Sequence, residues 1–266
     1  MDTTKAISHL SLCSGYEGIG LGLRAVLPSL REIAYAEIEA FAIANLVAKM
    51  EEGQLAPAPI YTNLKTFPYR KFCDRVDILS GGFPCQPFSS AGQRKGVEDE
   101  RHLFPHIAKG IAECRPRFVF LENVEGIITS KTTNRITVLQ HVLGCLEVLG
   151  YKATAGIFSA AEVGAPHQRR RVFILAYDRS ARSSSRVSMP RQRKKRHSEI
   201  IDDCSSRGWP SRCGEQPKDW EEPKLESKLG RTTNGTSSRV DRLRLLGNGV
   251  VPQVAAKAFI TLLNKL

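Results

Sequence analysis

The chain has 266 residues, with 39 Lys and Arg against 27 Asp and Glu, a net charge of +12 and a pI near 9.5. That length suits one large α/β domain plus a small one; no apolar run reaches the ~18 residues of a membrane span, and the start Met1-Asp2-Thr3-Thr4-Lys5 lacks the basic-then-apolar layout of a signal peptide. The excess positive charge points to a polyanionic partner, nucleic acid first, although a generally basic soluble protein carries the same balance.

In chain order, residues 6–12 read as a strand, 20–27 as a short helix and 33–35 as a second strand. Residues 36–50 place Ile38, Phe41, Ala42, Leu46 and Val47 at helical spacing. Residues 76–79 form an apolar strand, after which Gly81-Gly82 is expected to turn the chain. A helix over 103–112 and a strand over 118–121 follow. Residues 136–149 read as a strongly amphipathic helix, and 152–158 and 171–177 as strands. This alternation implies an α/β fold with a doubly wound, mostly parallel sheet covered on both faces. The pattern ends near Asp178. Residues 179–239 hold 15 Lys and Arg against 8 Asp and Glu, so +7 of the net +12 lies there. The expected organisation is a domain over 1–177, an irregular basic module over 178–239 and a segment over 240–266 that returns to the domain. A solvated basic loop is the plain alternative for the module. The last segment carries an amphipathic helix over 250–266, entered through Gly247-Asn248-Gly249.

Seven cysteines, at positions 13, 73, 85, 114, 145, 204 and 213, show no Cys-x-x-Cys spacing. No metal site and no disulfide framework is expected, and reduced thiols suit a cytoplasmic protein. Cys85 is the exception to an ordinary distribution. In Gly81-Gly82-Phe83-Pro84-Cys85-Gln86-Pro87-Phe88-Ser89 it sits between two prolines that restrict its backbone. A core cysteine does not need such a collar; a nucleophile that meets an electrophile at a fixed angle does. The glycine-rich residues 12–20 join strand to helix, where a ligand can approach the backbone and free N–H groups; a simple tight turn has the same composition. Glu37 follows the second strand, about 20 residues on, where an acid can accept from ribose hydroxyls or merely start a helix. Glu122 follows a wholly apolar strand, so Cys85 and Glu122 both stand at strand ends, where ligands bind in parallel sheets. A buried glutamate there can share a proton near neutral pH. His167-Gln168-Arg169-Arg170-Arg171 suits an anion or a base edge, or is only a basic strand end.

Together these segments resemble the DNA cytosine-C5 methyltransferases, of bacterial or phage type. Residues 12–20 look like the family's methyl-donor loop, 81–89 match its Pro-Cys-Gln catalytic loop, Glu122-Asn123-Val124 its Glu-Asn-Val motif and 168–172 its Gln-Arg-x-Arg region. Residues 246–252 resemble its C-terminal Gly-Asn motif, and 178–239 stand where the family has its target-recognition region. The resemblance implies a Rossmann-like fold and transfer of a methyl group from S-adenosylmethionine to C5 of a flipped-out cytosine in a specific double-stranded DNA sequence. It implies a thiolate of Cys85 that attacks C6, Glu122 on cytosine N3, Arg171 on O2 and Arg169 in support. Cys13, Gly15, Tyr16, Glu17, Gly18, Glu37, Ile38, Asn63, Leu64, Asn248, Gly249 and Val250 would hold the methyl donor. Gln86, Ser89, Arg94 and Lys95 would meet DNA from a clamp-like loop. A monomer in the bacterial cytoplasm or nucleoid, beside a restriction endonuclease that acts separately, fits the same picture. The chain departs from the family where Cys13 replaces a usual Phe, Glu17 a usual Gly, and Asn63 an Asp often found near the adenine amino group. Three rival readings share Cys85: a tRNA cytosine methyltransferase, a catalytically impaired DNA-binding relative, and a thiol redox or hydrolytic enzyme.

Overall fold

The computed structural model describes residues 6–84, 103–132, 135–180 and 247–266. In chain order the elements are β1 (Ile7–Leu12), α1 (Gly18–Val26), β2 (Leu30–Ala36), α2 (Ala40–Glu51), β3 (Ile60–Tyr61), β4 (Ile78–Gly82), α3 (Phe104–Cys114), β5 (Phe118–Val124), α4 (Val138–Val148), β6 (Tyr151–Phe158), β7 (Arg171–Asp178) and α5 (Pro252–Leu263). The strands form one sheet in the order β3-β2-β1-β4-β5-β7-β6. All pairings are parallel except those of β7, which runs antiparallel to both β5 and β6. This is the expected Rossmann-like, mostly parallel α/β sheet. The short edge strand β3 has no counterpart in the sequence reading, because two residues give no period.

Side-chain parity builds the two layers. Leu10 and Leu12, Leu79, Val119 and Leu121, and Val172, Ile174 and Ala176 face one side, under Ile107 and Ile111 of α3 and Val142 and Leu146 of α4. Ile7, Ile78, Phe118 and Phe120, and Phe173 and Leu175 face the other, under Leu23 of α1 and Val254 and Phe259 of α5. Phe120 stacks on Phe173 at 5.4 Å and meets Phe259 edge-on at 5.3 Å. Each buried ring contributes about 1.5–3 kcal/mol, so this aromatic contact anchors the C-terminal helix to the sheet centre. Among the described residues no helix is long and apolar enough to cross a membrane.

Several boundaries differ from the sequence reading. Gly81 and Gly82 do not turn the chain: they are the last residues of β4, paired with Leu121 and Glu122. Glu122 lies within β5 rather than after it, because the strand runs on to Val124 through polar residues that hydrophobic patterning discounts. Residues 36–39 are strand end and loop, and α2 starts at Ala40. Thr137 starts α4 through a capping box with Gln140, which excludes Ile136 from the helix. Pro252 occupies the first turn of α5, so residues 250 and 251 remain outside it. The basic module was expected over 178–239, but β7 extends to Asp178, and residues 181–246 lie outside the described residues.

Candidate active site

A cavity of about 760 Å³ opens at the C-terminal ends of β1, β2, β4 and β5. Its walls include Cys13, Gly15, Tyr16, Gly18, Glu37, Ile38, Asn63, Leu64, Glu122, Arg171, Asn248, Gly249 and Val250. Thirteen expected positions from six segments thus share one space. Parallel strands place their C-terminal loops together, which is why ligands bind there.

The donor end is built from two loops tied to each other. Gly15 adopts φ +54 and its N–H donates to Glu37 Oε2 at 2.7 Å. Glu37 Oε1 accepts from the N–H groups of Ile38 and Glu39 at 2.8 and 2.9 Å. A carboxylate offers about four acceptor positions, so Glu37 keeps one for a ligand hydroxyl. Ile38 is 76% exposed, an apolar side chain at the rim with little else to cover it. Asn63 Oδ1 caps the turn at Lys65 N–H (2.9 Å), which leaves its amide N–H groups as the ligand-facing donors. Burial pushes the Cys13 thiol up to about 12, helped by Glu37. Cys13 is therefore a neutral thiol on the wall and no rival nucleophile.

The C-terminal segment closes this end. A Cβ on Gly18 would stand 2.0 Å from the Val250 carbonyl oxygen, so only glycine admits the segment so close. Tyr16 Oη donates to the same carbonyl, and Lys49 Nζ donates to Tyr16 O at 2.7 Å with its charge 5.0 Å from the ring centre. From the other side Arg169 donates to Gly247 O at 2.8 Å and to Gly249 O. Arg169 therefore does not line the cavity; it supports it by clasping the carbonyls around Asn248.

The acceptor end holds Glu122 and Arg171. They project from the same sheet face, with Arg171 opposite Val124 and Glu122 one diagonal away. Arg171 Nε lies 3.1 Å from Glu122 Oε1 as an ion contact, yet Oε1 has no aligned hydrogen bond among the described residues. Burial raises the Glu122 carboxyl to about 7 against the opposing pull of Arg171 and Arg169. A group at that value both gives and takes a proton near neutrality. Gly82 makes room for it: a Cβ there would come within 3.2 Å of Glu122 Oε2. Next to it, Asn123 Nδ2 donates to Phe83 O at 2.8 Å and its Oδ1 accepts from Val124 N–H at 2.9 Å. Asn123, the middle residue of the Glu-Asn-Val motif, thus pins the strand that leads to Pro84. Pro84 is on the cavity wall, and Cys85 is the next residue in the chain.

Among the described residues, one expected methyl-donor residue stands apart from the cavity. Glu17, expected at the methyl donor, is buried beneath the loop, where Ser11 Oγ donates to its Oε2 at 2.6 Å. A side chain on the left-handed residue at the start of α1 (φ 68) points down toward the sheet, not up. Cys85, Gln86, Ser89, Arg94 and Lys95 lie outside the described residues.

Residues 7–231 match the family described as C-5 cytosine-specific DNA methylase. The chain is 32% identical over 203 residues to the Type II methyltransferase M1.ScrFI of Lactococcus lactis subsp. cremoris, which aligns 75% of this chain with 49% of that protein. It is 31% identical over 175 residues to the Type II methyltransferase M.HhaI of Haemophilus parahaemolyticus, covering 65% of this chain and 50% of that one. In fold it is similar to the crystal structure of the S. pombe Dnmt2 methyltransferase, with a TM-score of 0.53, 23% identity, and 65% and 51% of the two chains covered. This chain spans about half the length of the curated relatives it matches. Motif order, sheet order and the match over most of its length agree: the chain belongs to the C-5 cytosine-specific DNA methylase family.

Proposed function

We propose that this protein methylates C5 of a flipped-out cytosine in a specific double-stranded DNA sequence, through a covalent adduct of Cys85 at C6. The observation that carries this reading is the meeting, in one cavity, of a proton-sharing Glu122 beside Arg171 with the nucleoside-type pair Gly15 and Glu37. S-adenosylmethionine, when bound, supplies an electrophilic methyl group. Its fit rests on the remaining acceptor position of Glu37, the amide of Asn63 and the apolar rim at Ile38.

The chain's own residues then divide the work. Cytosine C5 is a poor nucleophile until a thiolate adds to C6 and makes C5 enamine-like. Cys85 provides that thiolate. An ordinary cysteine is only ~3% ionised at pH 7, so stabilising the thiolate is part of what the closed site must do. Glu122 protonates N3 as the adduct forms, which keeps negative charge off the ring, and Arg171 holds O2. Once C5 carries the methyl group, its remaining proton passes to solvent water, the C6–S bond breaks to release the Cys85 thiolate, and N3 returns its proton to Glu122. The target atom is out of reach inside a stacked duplex, so the base must leave the helix at a cost of a few kcal/mol. Gln86, Ser89, Arg94 and Lys95 would contact DNA, and 178–239 would select the sequence. A monomer, acting apart from any cognate endonuclease, completes the reading.

The test is base-resolution cytosine-methylation sequencing of the expression plasmid from a host lacking such enzymes, beside Cys85→Ala. The expected result is methylation confined to one short sequence context and absent from the variant. No DNA methylation from either protein would overturn it, and methylation of tRNA in the same assay would replace DNA with RNA as the substrate.

A further inference from the structure

The residue that left the cavity, Glu17, belongs to a second polar site in the same protein. Three side chains from three elements converge beneath the loop between β1 and α1: His9 from β1, Glu32 from β2 and Glu17 at the start of α1. All three are 0% exposed. His9 Nδ1 stands 3.8 Å from Glu17 Oε1 and 3.9 Å from Glu32 Oε1, too far for hydrogen bonds. None of these three atoms has a hydrogen-bond partner among the described residues. A buried polar atom left so is costly, and three aimed at one point demand an explanation.

The outer atom of each group is already held. His9 Nε2 shares a hydrogen bond with Ser80 Oγ at 2.8 Å. Ser11 Oγ donates to Glu17 Oε2 at 2.6 Å, and Arg24 Nη2 donates to Glu32 Oε2. Each inner atom is thereby fixed in direction, as the outer partners of metal ligands fix theirs. The backbone makes the same provision. β2 has one extra residue, Ile33, opposite the step from His9 to Leu10, and this bulge follows directly on Glu32, which pairs with His9. A Cβ on Gly20 would fall 2.0 Å from Glu17 Oε1, so glycine leaves that carboxylate its place.

We propose that His9, Glu17 and Glu32 bind one divalent first-row transition-metal ion that clips β1, β2 and the start of α1 together. Three donors about 2.2 Å from one ion at trigonal angles stand about 3.8 Å apart, the separation His9 keeps from both carboxylates. One imidazole and two carboxylates suit Zn2+, Mn2+, Fe2+ or Co2+ rather than a soft ion. With every donor buried, the ion enters as the chain folds and acts on stability, not on the methyl transfer. Sequence spacing could not reveal it, since residues 9, 17 and 32 form no motif and meet only through sheet pairing.

The experiment uses the full chain, unfolded in chelator and then refolded separately in the presence of Zn2+, Mn2+ or Co2+, because the buried donors take up the ion only as the chain folds. Metal analysis should find about one ion per chain, and excess ion should raise Tm by roughly 5–10 °C. Co2+ should give visible ligand-field bands without the near-ultraviolet thiolate charge transfer that ligation by one of the seven cysteines would produce. His9→Gln and Glu32→Gln, made separately so that one folded variant suffices, should lose the ion and the Tm response. No bound ion under any loading, thiolate-type Co2+ spectra, or equal metal content in the variants would overturn the proposal. A crystal structure with a water at the meeting point after metal loading would do the same.

Discussion

Glu122 and Glu17 are a matched pair in different places. Both are buried on the sheet face covered by α1 and α5, both carboxyls are pushed up to about 7, and burial is the main cause in each. One opens into a large cavity beside Arg171; the other is sealed under a loop among His9, Ser11 and Glu32. A raised carboxyl therefore marks burial first. Access to a space that a substrate can enter is what separates the candidate proton donor from an internal contact.

That comparison breaks most sharply at Glu122. Glu122→Gln should lower kcat for DNA methylation by about 10²–10⁴-fold, the usual span for a lost acid–base group. Its Tm should hold or rise near neutral pH, because a carboxylate whose burial outweighs its attraction to Arg171 gives way to a neutral amide. A Tm loss comparable to that of Glu32→Gln, with methylation retained, would erase the distinction between the two sites.

The next largest effect is expected where the cavity is closed. Gly18→Ala drives a methyl group into the Val250 carbonyl, and overpacking of this kind costs about 1–3 kcal/mol. The displaced segment should also weaken S-adenosylmethionine binding, read by calorimetry. Unchanged affinity would mean that residues 247–250 do not serve that ligand. Arg169→Ala removes two bonds to the same segment, so KM for the methyl donor should rise about tenfold while kcat falls less. A pure kcat effect would instead place Arg169 at the base.

The smallest effect is a pH slope. Glu122 is raised from 4.5 to about 7 by burial, so the folded chain holds a proton that the unfolded chain has released in that window. Its stabilising share is complete below the lower value and fades as pH climbs through about 7. The Tm advantage of Glu122→Gln over the parent should thus grow from acid to mildly alkaline buffer. A constant difference would contradict the raised value.

The site was legible where chemistry demands particular residues in an order. Glu122, Glu37 and the C-terminal Gly-Asn segment could be read as one apparatus, and they line one cavity; the alternation of elements gave the mostly parallel sheet. Hydrophobic patterning failed where a strand ends in polar or glycine residues, which is why Gly81 and Gly82 read as a turn and Glu122 as a loop residue. Asn123 was visible as a letter in a motif, but its hold on Phe83 depends on β4 and β5 lying side by side.

By itself, then, the sequence determined the sheet class, the reaction family and half of the cavity wall, because local period and short motifs are properties of neighbouring residues. Only the tertiary structure decided that Glu17 turns away from the cavity to meet His9 and Glu32, that Arg169 clasps Gly247 and Gly249, and that Gly18 and Gly82 are spaces rather than hinges. Most of those are facts about residues far apart in the chain. They are fixed by strand register and helix docking, and even where two partners are as near as His9 and Glu17, no local period brings them together.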